Sequence, residues 1–149
     1  MPLLWTTEYY TAELLRKYSQ YTFVFGDNIQ RIGKGGQAII RDEPNVIGIP
    51  TKATPGIFFV DYKMEPVLKE GHMSWNAFKK TIDEDLQKVE DKLALGETVV
   101  VPMDFIGTGL AALPEKAPGL LFYLYHRFNL MMLLYGVYHG ELKNSLDSV

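Results

Sequence analysis

The feature that most constrains this chain is the stretch at residues 74–95. There Trp75, Phe78, Ile82, Leu86, Val89 and Leu93 step by three or four, while Lys79, Asp83, Asp85, Lys88 and Glu90 fall on other faces. The spacing predicts a long amphipathic helix, capped by Ser74 and ended near Gly96. Short apolar runs flank it, VIGIP at residues 46–50 and TVVVP at residues 98–102. Runs without polar alternation suit strands buried on both faces, and strand, long helix, strand predicts a parallel βαβ arrangement. A further buried strand is expected at residues 21–25 (YTFVF), delivering Gly26, Asp27 and Asn28 to a sheet edge. An obscure one is expected at residues 57–62 (IFFVDY).

Residues 7–17 read as a first helix, with Tyr10, Leu14, Leu15 and Tyr18 at helical spacing and Thr7 available as cap. Pro114 fits the first position of another helix carrying Leu120, Leu121, Leu124 and Phe128, although Pro118 strains any register that starts much before it. Residues 130–138 either continue that helix or form a last strand. From about residue 141 the chain turns polar and is expected to be loose.

The 149 residues suit a single domain, and 47% apolar with 22% charged residues excludes disorder and collagen-like repeats. A net charge of −3 argues against a groove tracking many nucleic-acid phosphates. Without cysteine there is no disulfide framework, thiolate zinc site or cysteine nucleophile. His72, His126 and His139 are scattered, so no metal site is expected. The N-terminus lacks the pattern of a signal peptide and no apolar stretch approaches a membrane span, so the expected location is the cytoplasm.

Five glycines fall in two clusters, Gly33, Gly35 and Gly36, then Gly107 and Gly109. Each cluster follows a predicted buried strand and precedes a predicted helix, the place where α/β sheets bind ligands. Glycine there lets the backbone approach a phosphate closely and adopt positive φ. GKGGQA is neither the GxGxxG dinucleotide fingerprint nor a Walker loop, which disfavours kinases, NTPases and Rossmann dehydrogenases.

The order of strand, Asn28, GKGGQA loop, strand ending in IPTK, long helix, strand VVVP and loop IGTGLAALP resembles a macro domain, the α/β module that binds ADP-ribose. The resemblance covers roughly residues 21–124. It implies a three-layer α/β/α fold with a mixed, mostly parallel central sheet. It also implies that ADP-ribose or a related nucleotide is held between the two loops, without a separate cofactor. Asn28 would contact the distal ribose. Gly33, Lys34, Gly35, Gly36, Gln37 and Ala38 would form the first phosphate loop beside Thr51. Ile106, Gly107, Thr108, Gly109 and Leu110 would form the second. Gly26-Asp27-Asn28-Ile29 is either a compressed form of the family's Gly-Asp-Ile segment, whose aspartate binds the adenine amine, or unrelated to it. In detail the motifs are most similar to the branch that hydrolyses ADP-ribosyl esters and DNA-linked ADP-ribose, including the DarG antitoxin. That likeness makes Lys52, in its Ile49-Pro50-Thr51-Lys52 context, a candidate catalytic residue, because an amine of lowered pKa can attack the anomeric carbon. Some members of that branch carry an aspartate where this chain has Ala111, and Asp104 is the candidate to replace it. An ADP-ribosylated macromolecule is then the implied partner.

Other residues fit plainer roles. Trp75 and Phe78 belong to a core stripe, and Trp5 suits an N-terminal anchor better than a stacking platform. His126 suits an ordinary helix position. The aromatic group Phe122, Tyr123, Tyr125, Phe128, Tyr135 and Tyr138 exceeds what one helix stripe needs, and suits either a homodimer interface or the far end of a pocket.

Overall fold

A computed structural model describes residues 2–52, 60–61, 73–107 and 113–143. In chain order the elements are β1 (Leu3–Thr6), α1 (Ala12–Lys17), β2 (Thr22–Asn28), a 3-10 helix (Gly36–Ile40) and β3 (Val46–Lys52). Then come β4 (Val60–Asp61), β5 (Met73–Ser74), α2 (Trp75–Ala94), β6 (Val99–Val101), α3 (Leu113–Lys116), α4 (Pro118–Tyr135) and β7 (Val137–Gly140). Five strands form one sheet in the order β3-β2-β6-β1-β7, and a parallel pairing of β4 with β5 stands apart. The fold is α/β, as the sequence predicts, but every pairing in the main sheet is parallel rather than mixed.

Successive side chains of a strand point to opposite faces, which builds two apolar layers here. Val24, Val99 and Val101 pack with Phe78, Ile82, Leu86, Val89 and Leu93 of α2 and with Leu120, Leu124 and Phe128 of α4. Phe23, Phe25 and Val100 face the other way, toward Leu15 and Tyr18 around α1 and Ala38 and Ile40 of the 3-10 helix. The molecule is therefore three-layered. The path of the chain explains which helix covers which face. From β1 it moves through β2 to β3 in one direction across the sheet, with α1 and the 3-10 helix on one side. It then returns through β6 to β7 with α2 and α4 on the other. Reversing direction while keeping crossovers right-handed moves the connections to the opposite face.

Several sequence expectations change. Leu3–Thr6, read only as an anchoring terminus, is an inner strand between β6 and β7. Trp5 does anchor: its indole N–H donates to the Met103 carbonyl (2.9 Å) and its ring stacks on Phe105. The first helix starts at Ala12, not Thr7, because the Thr7 N–H donates to the Gly140 carbonyl and prolongs the sheet, while the Thr11 hydroxyl caps the helix through the Leu14 N–H (3.0 Å). β3 and β6 flank α2 in sequence and are parallel, yet β2 lies between them. The helix expected from Pro114 is split at Ala117, and Pro118 opens the longer piece, where its missing N–H costs nothing. Both readings of residues 130–138 hold in part, since α4 runs to Tyr135 and Gly136, at φ 88°, turns the chain into β7. Leu142, in the supposedly loose tail, is fully buried against the α1 side. The Trp75 side chain and most of residues 57–62 lie outside the described residues. No helix among the described residues is long and apolar enough to cross a membrane.

Candidate functional site

β2 and β6 are neighbours whose outgoing connections diverge, one leading to β3 on the α1 side and the other to β7 on the α4 side. Between such strands the carboxyl ends leave a crevice, the usual ligand position in open parallel sheets. Here it is a cleft of about 720 Å³. The strand ends contribute Asp27, Asn28, Thr51 and Lys52 to its wall, and the first glycine loop contributes Gly33, Gly35, Gly36, Gln37 and Ala38. Across from them stand Asp104 and Gly107. Two sets of residues distant in sequence thus meet because β2 and β6 are paired.

The first loop is held by side chains rather than by a following helix. The element after it is only a five-residue 3-10 helix that begins at Gly36, with Gly35 before it and Pro44 soon after, so a sizeable helix dipole is not available there. Instead Arg41 folds back, donating from Nε to the Gly33 carbonyl (2.8 Å) and from Nη2 to the Ile32 carbonyl (3.0 Å). Asn28 Nδ2 donates to that same Ile32 carbonyl (2.8 Å), and Arg31 turns the chain at φ 57°. The Asn28 side-chain oxygen is buried and has no hydrogen-bond partner among the described residues, which makes it a candidate acceptor at the cleft wall.

Gln37 joins the two loops. Its side-chain oxygen accepts from the Gly26 N–H (2.9 Å) and its Nε2 donates to the Phe105 carbonyl (2.6 Å). Phe105 adopts φ 64°, rare for an aromatic residue, as the chain leaves β6. Gly107 follows at φ 83°, with the Leu113 side chain so close that a β-carbon there would overlap it. Ile106 is buried in the core rather than in the cleft wall, and Lys34 pairs with Asp42 on the outside of the first loop. Thr108, Gly109 and Leu110 lie outside the described residues.

Asp27 is almost fully buried and its carboxylate is engaged on both oxygens. Oδ1 accepts from Arg41 (2.6 Å) and from the Asn28 N–H (2.8 Å), and Oδ2 from Arg31 (3.2 Å). Arg31 reaches on to Asp85 of α2 (2.5 Å) and the Gly48 carbonyl (2.8 Å). Burial works against the Arg31 charge, but the hydrogen bonds and charges of Asp85 and Asp27 outweigh it and raise its pKa. A chain of ion pairs therefore ties the long helix to the glycine loop, and Asp27 is its hub.

The family comparison completes the picture. A family of unknown function, DUF7831, matches residues 5–127. The chain belongs to this family. No curated protein and no solved structure matches it. Every residue lining the cleft lies within the matched span, whereas β7 lies beyond it.

Several residues of this family member's cleft had no sequence signal. Glu8, Tyr9 and Tyr10 enter because β1 is an inner strand, and Met103 because β6 ends beside it. Tyr10 donates from its hydroxyl to the Val24 carbonyl (2.7 Å), and burial pushes that phenol well above its ordinary pKa. Arg41 also lines the cleft. A cation eight residues after Gly33 carries no pattern that marks it as the loop's clamp.

Proposed function

We propose that the cleft binds ADP-ribose or a related nucleotide and hydrolyses an ADP-ribosyl linkage. The observation that carries this reading is the convergence of Asn28, Lys52, the first glycine loop and Gly107 on one cleft. In this reading the buried Asn28 oxygen accepts from a hydroxyl of the distal ribose. The backbone from Gly33 to Ala38 faces the diphosphate from one side, with the loop that begins at Gly107 on the other. Positive φ at Gly33 and Gly107 suits backbone N–H groups turned toward an anion. Lys52, as the neutral amine, adds to the anomeric carbon while the bond to the leaving group breaks. Asp104 relays the proton lost by the new ammonium to the leaving group, and water then cleaves the carbon–nitrogen bond, its hydroxyl going to carbon and its other hydrogen to nitrogen, which returns the amine and releases ADP-ribose.

Calorimetry with ADP-ribose and a release assay on ADP-ribosylated DNA or protein test the proposal. Binding with turnover, and retained binding without turnover in Lys52→Ala, is the expected result. No binding at millimolar ADP-ribose removes the reading, and binding without turnover in the unmutated chain supports a nucleotide-sequestering protein instead. A second reading, self-association through the C-terminal aromatic region, is favoured by the exposure of Phe122 (75%), Leu133 (83%) and Leu134 (76%) on α4. Sedimentation distinguishes it.

A further inference from the structure

We infer that the segment at residues 8–10 forms the nucleobase subsite of the cleft, with Tyr9 stacking on the base and the Glu8 carboxylate accepting from an exocyclic amino group. The inference rests on the nucleotide reading above and adds to it an orientation and a specificity. The first observation is the order of strand ends along the cleft: Lys52 closes β3, Asn28 closes β2, Met103 and Asp104 follow β6, and Glu8 and Tyr9 follow β1. Three strand spacings separate the β3 and β1 ends, roughly 14 Å at the usual interval. A nucleotide with its reacting ribose at Lys52 and Asn28 and its diphosphate at the glycine loops therefore lays its base toward β1.

The second observation is the character of that end. Tyr9 is 79% exposed at the cleft wall, and Met103, more than a third exposed, lines the wall from the adjoining end of β6. A solvent-facing aromatic ring beside a methionine at neighbouring strand ends suits a flat, weakly hydrated ring. The segment is also fixed in place. The Tyr10 hydroxyl is tied to the Val24 carbonyl, the Glu8 N–H donates to the Thr6 hydroxyl (3.0 Å), and Glu8 Oε1 accepts from the Leu142 N–H (3.3 Å). A carboxylate offers about four lone-pair directions, so Glu8 retains acceptor capacity toward the cleft. Asp27 is far less available, because Arg31, Arg41 and the Asn28 N–H take three of its directions and only 2% of its side chain is exposed. Between Glu8 and Asp27, Glu8 is the one placed to read an amino group, and Asp104 is assigned to the reacting end in the reading above.

The experiment is calorimetry with three probes: ADP-ribose, its hypoxanthine counterpart, in which the amino group is replaced by a carbonyl, and base-free ribose 5-phosphate. Tyr9→Ala is expected to weaken ADP-ribose about tenfold to a hundredfold, the range that base stacking supplies, and to leave ribose 5-phosphate unchanged. Tyr9→Phe should retain affinity. Glu8→Gln is expected to cut the preference for ADP-ribose over the hypoxanthine ligand about tenfold, since an amide both donates and accepts. Unchanged ADP-ribose affinity in Tyr9→Ala overturns the inference, as does an equal loss for the base-free probe. If the unmutated chain binds ADP-ribose while these variants behave like it, only the subsite is wrong. If the unmutated chain binds neither nucleotide, the parent reading falls and takes this one with it.

Discussion

Gly48 offers a direct test of the ion-pair hub beneath the cleft. It lies on β3 opposite Phe25, and a β-carbon placed there would stand 2.4 Å from Asp27 Oδ2, 3.0 Å from Phe25 Cζ and 3.1 Å from Asp27 Cβ. The Asp27 carboxylate cannot swing away freely, because it holds Arg41 at 2.6 Å and Arg31 at 3.2 Å with only 2% of its side chain exposed. Gly48→Ala therefore forces one of two responses. If Asp27 stays, the strand is overpacked, at about 1–3 kcal/mol. If it moves, the buried Asp27 carboxylate gives up its pairs with Arg41 and Arg31, and breaking a buried pair costs about 3–5 kcal/mol. The chain takes the cheaper response, so a loss of about 2–3 kcal/mol is expected. With roughly 2.1 cal/mol/K of unfolding entropy per residue, that corresponds to a fall in Tm of about 7–10 °C. Urea and thermal unfolding measure it. In an Asp27→Ala background the nearest clashing oxygen is gone, and Gly48→Ala should then cost less than about 1 kcal/mol. A loss below about 1 kcal/mol in the otherwise unmutated chain, or additive losses in the cycle, would refute the account of Gly48 as the space that admits the Asp27 carboxylate.

Two further outcomes follow from named contacts. Gln37→Ala leaves the Gly26 N–H and the Phe105 carbonyl without their shared partner and should cost about 1–3 kcal/mol in urea unfolding. Gln37→Glu, which sets an acceptor against the Phe105 carbonyl, should be worse, and equal stability of the two variants would argue against the bridge. Burial raises the Asp83 pKa, but hydrogen bonds from Lys79 and Tyr123 and the charges of Lys79 and Arg127 outweigh it and hold the carboxyl below its ordinary value. Its contribution is then complete above the unfolded carboxylate pKa of about 3.9 and lost as pH falls through the lowered folded value. The stability gap between the unmutated chain and Asp83→Asn should therefore shrink on acidification from pH 6 to pH 3, and a pH-independent gap would contradict the assignment.

Much of the architecture was legible because it depends on local periodicity. The stripe from Phe78 to Leu93 gave α2 to within a residue or so, the apolar runs gave β2, β3 and β6, and glycine clusters marked turns that need positive φ. β1 escaped because four residues carry too little pattern to separate an inner strand from an anchored terminus. The wholly parallel sheet and the order of its strands escaped too, since the direction in which each crossover returns depends on which faces bury together. The same limit applies to the site. Asn28, Lys52 and the loop glycines stand out by residue type beside a strand end. The roles of Asp27 and Arg41 do not, because they are fixed by ion pairs between segments, with Arg41 fourteen residues from Asp27 and Arg31 carrying the chain on to Asp85, 54 residues away. By itself the sequence determined which segments are helix, strand or tight turn, because those preferences are set by neighbours along the chain. Only the tertiary structure decided that β2 and β6 adjoin at a point where their connections diverge, that Glu8 and Tyr9 reach the same cleft, and that Asp27 is held in ion pairs. Each of these depends on surfaces that meet only once the apolar layers close over the sheet.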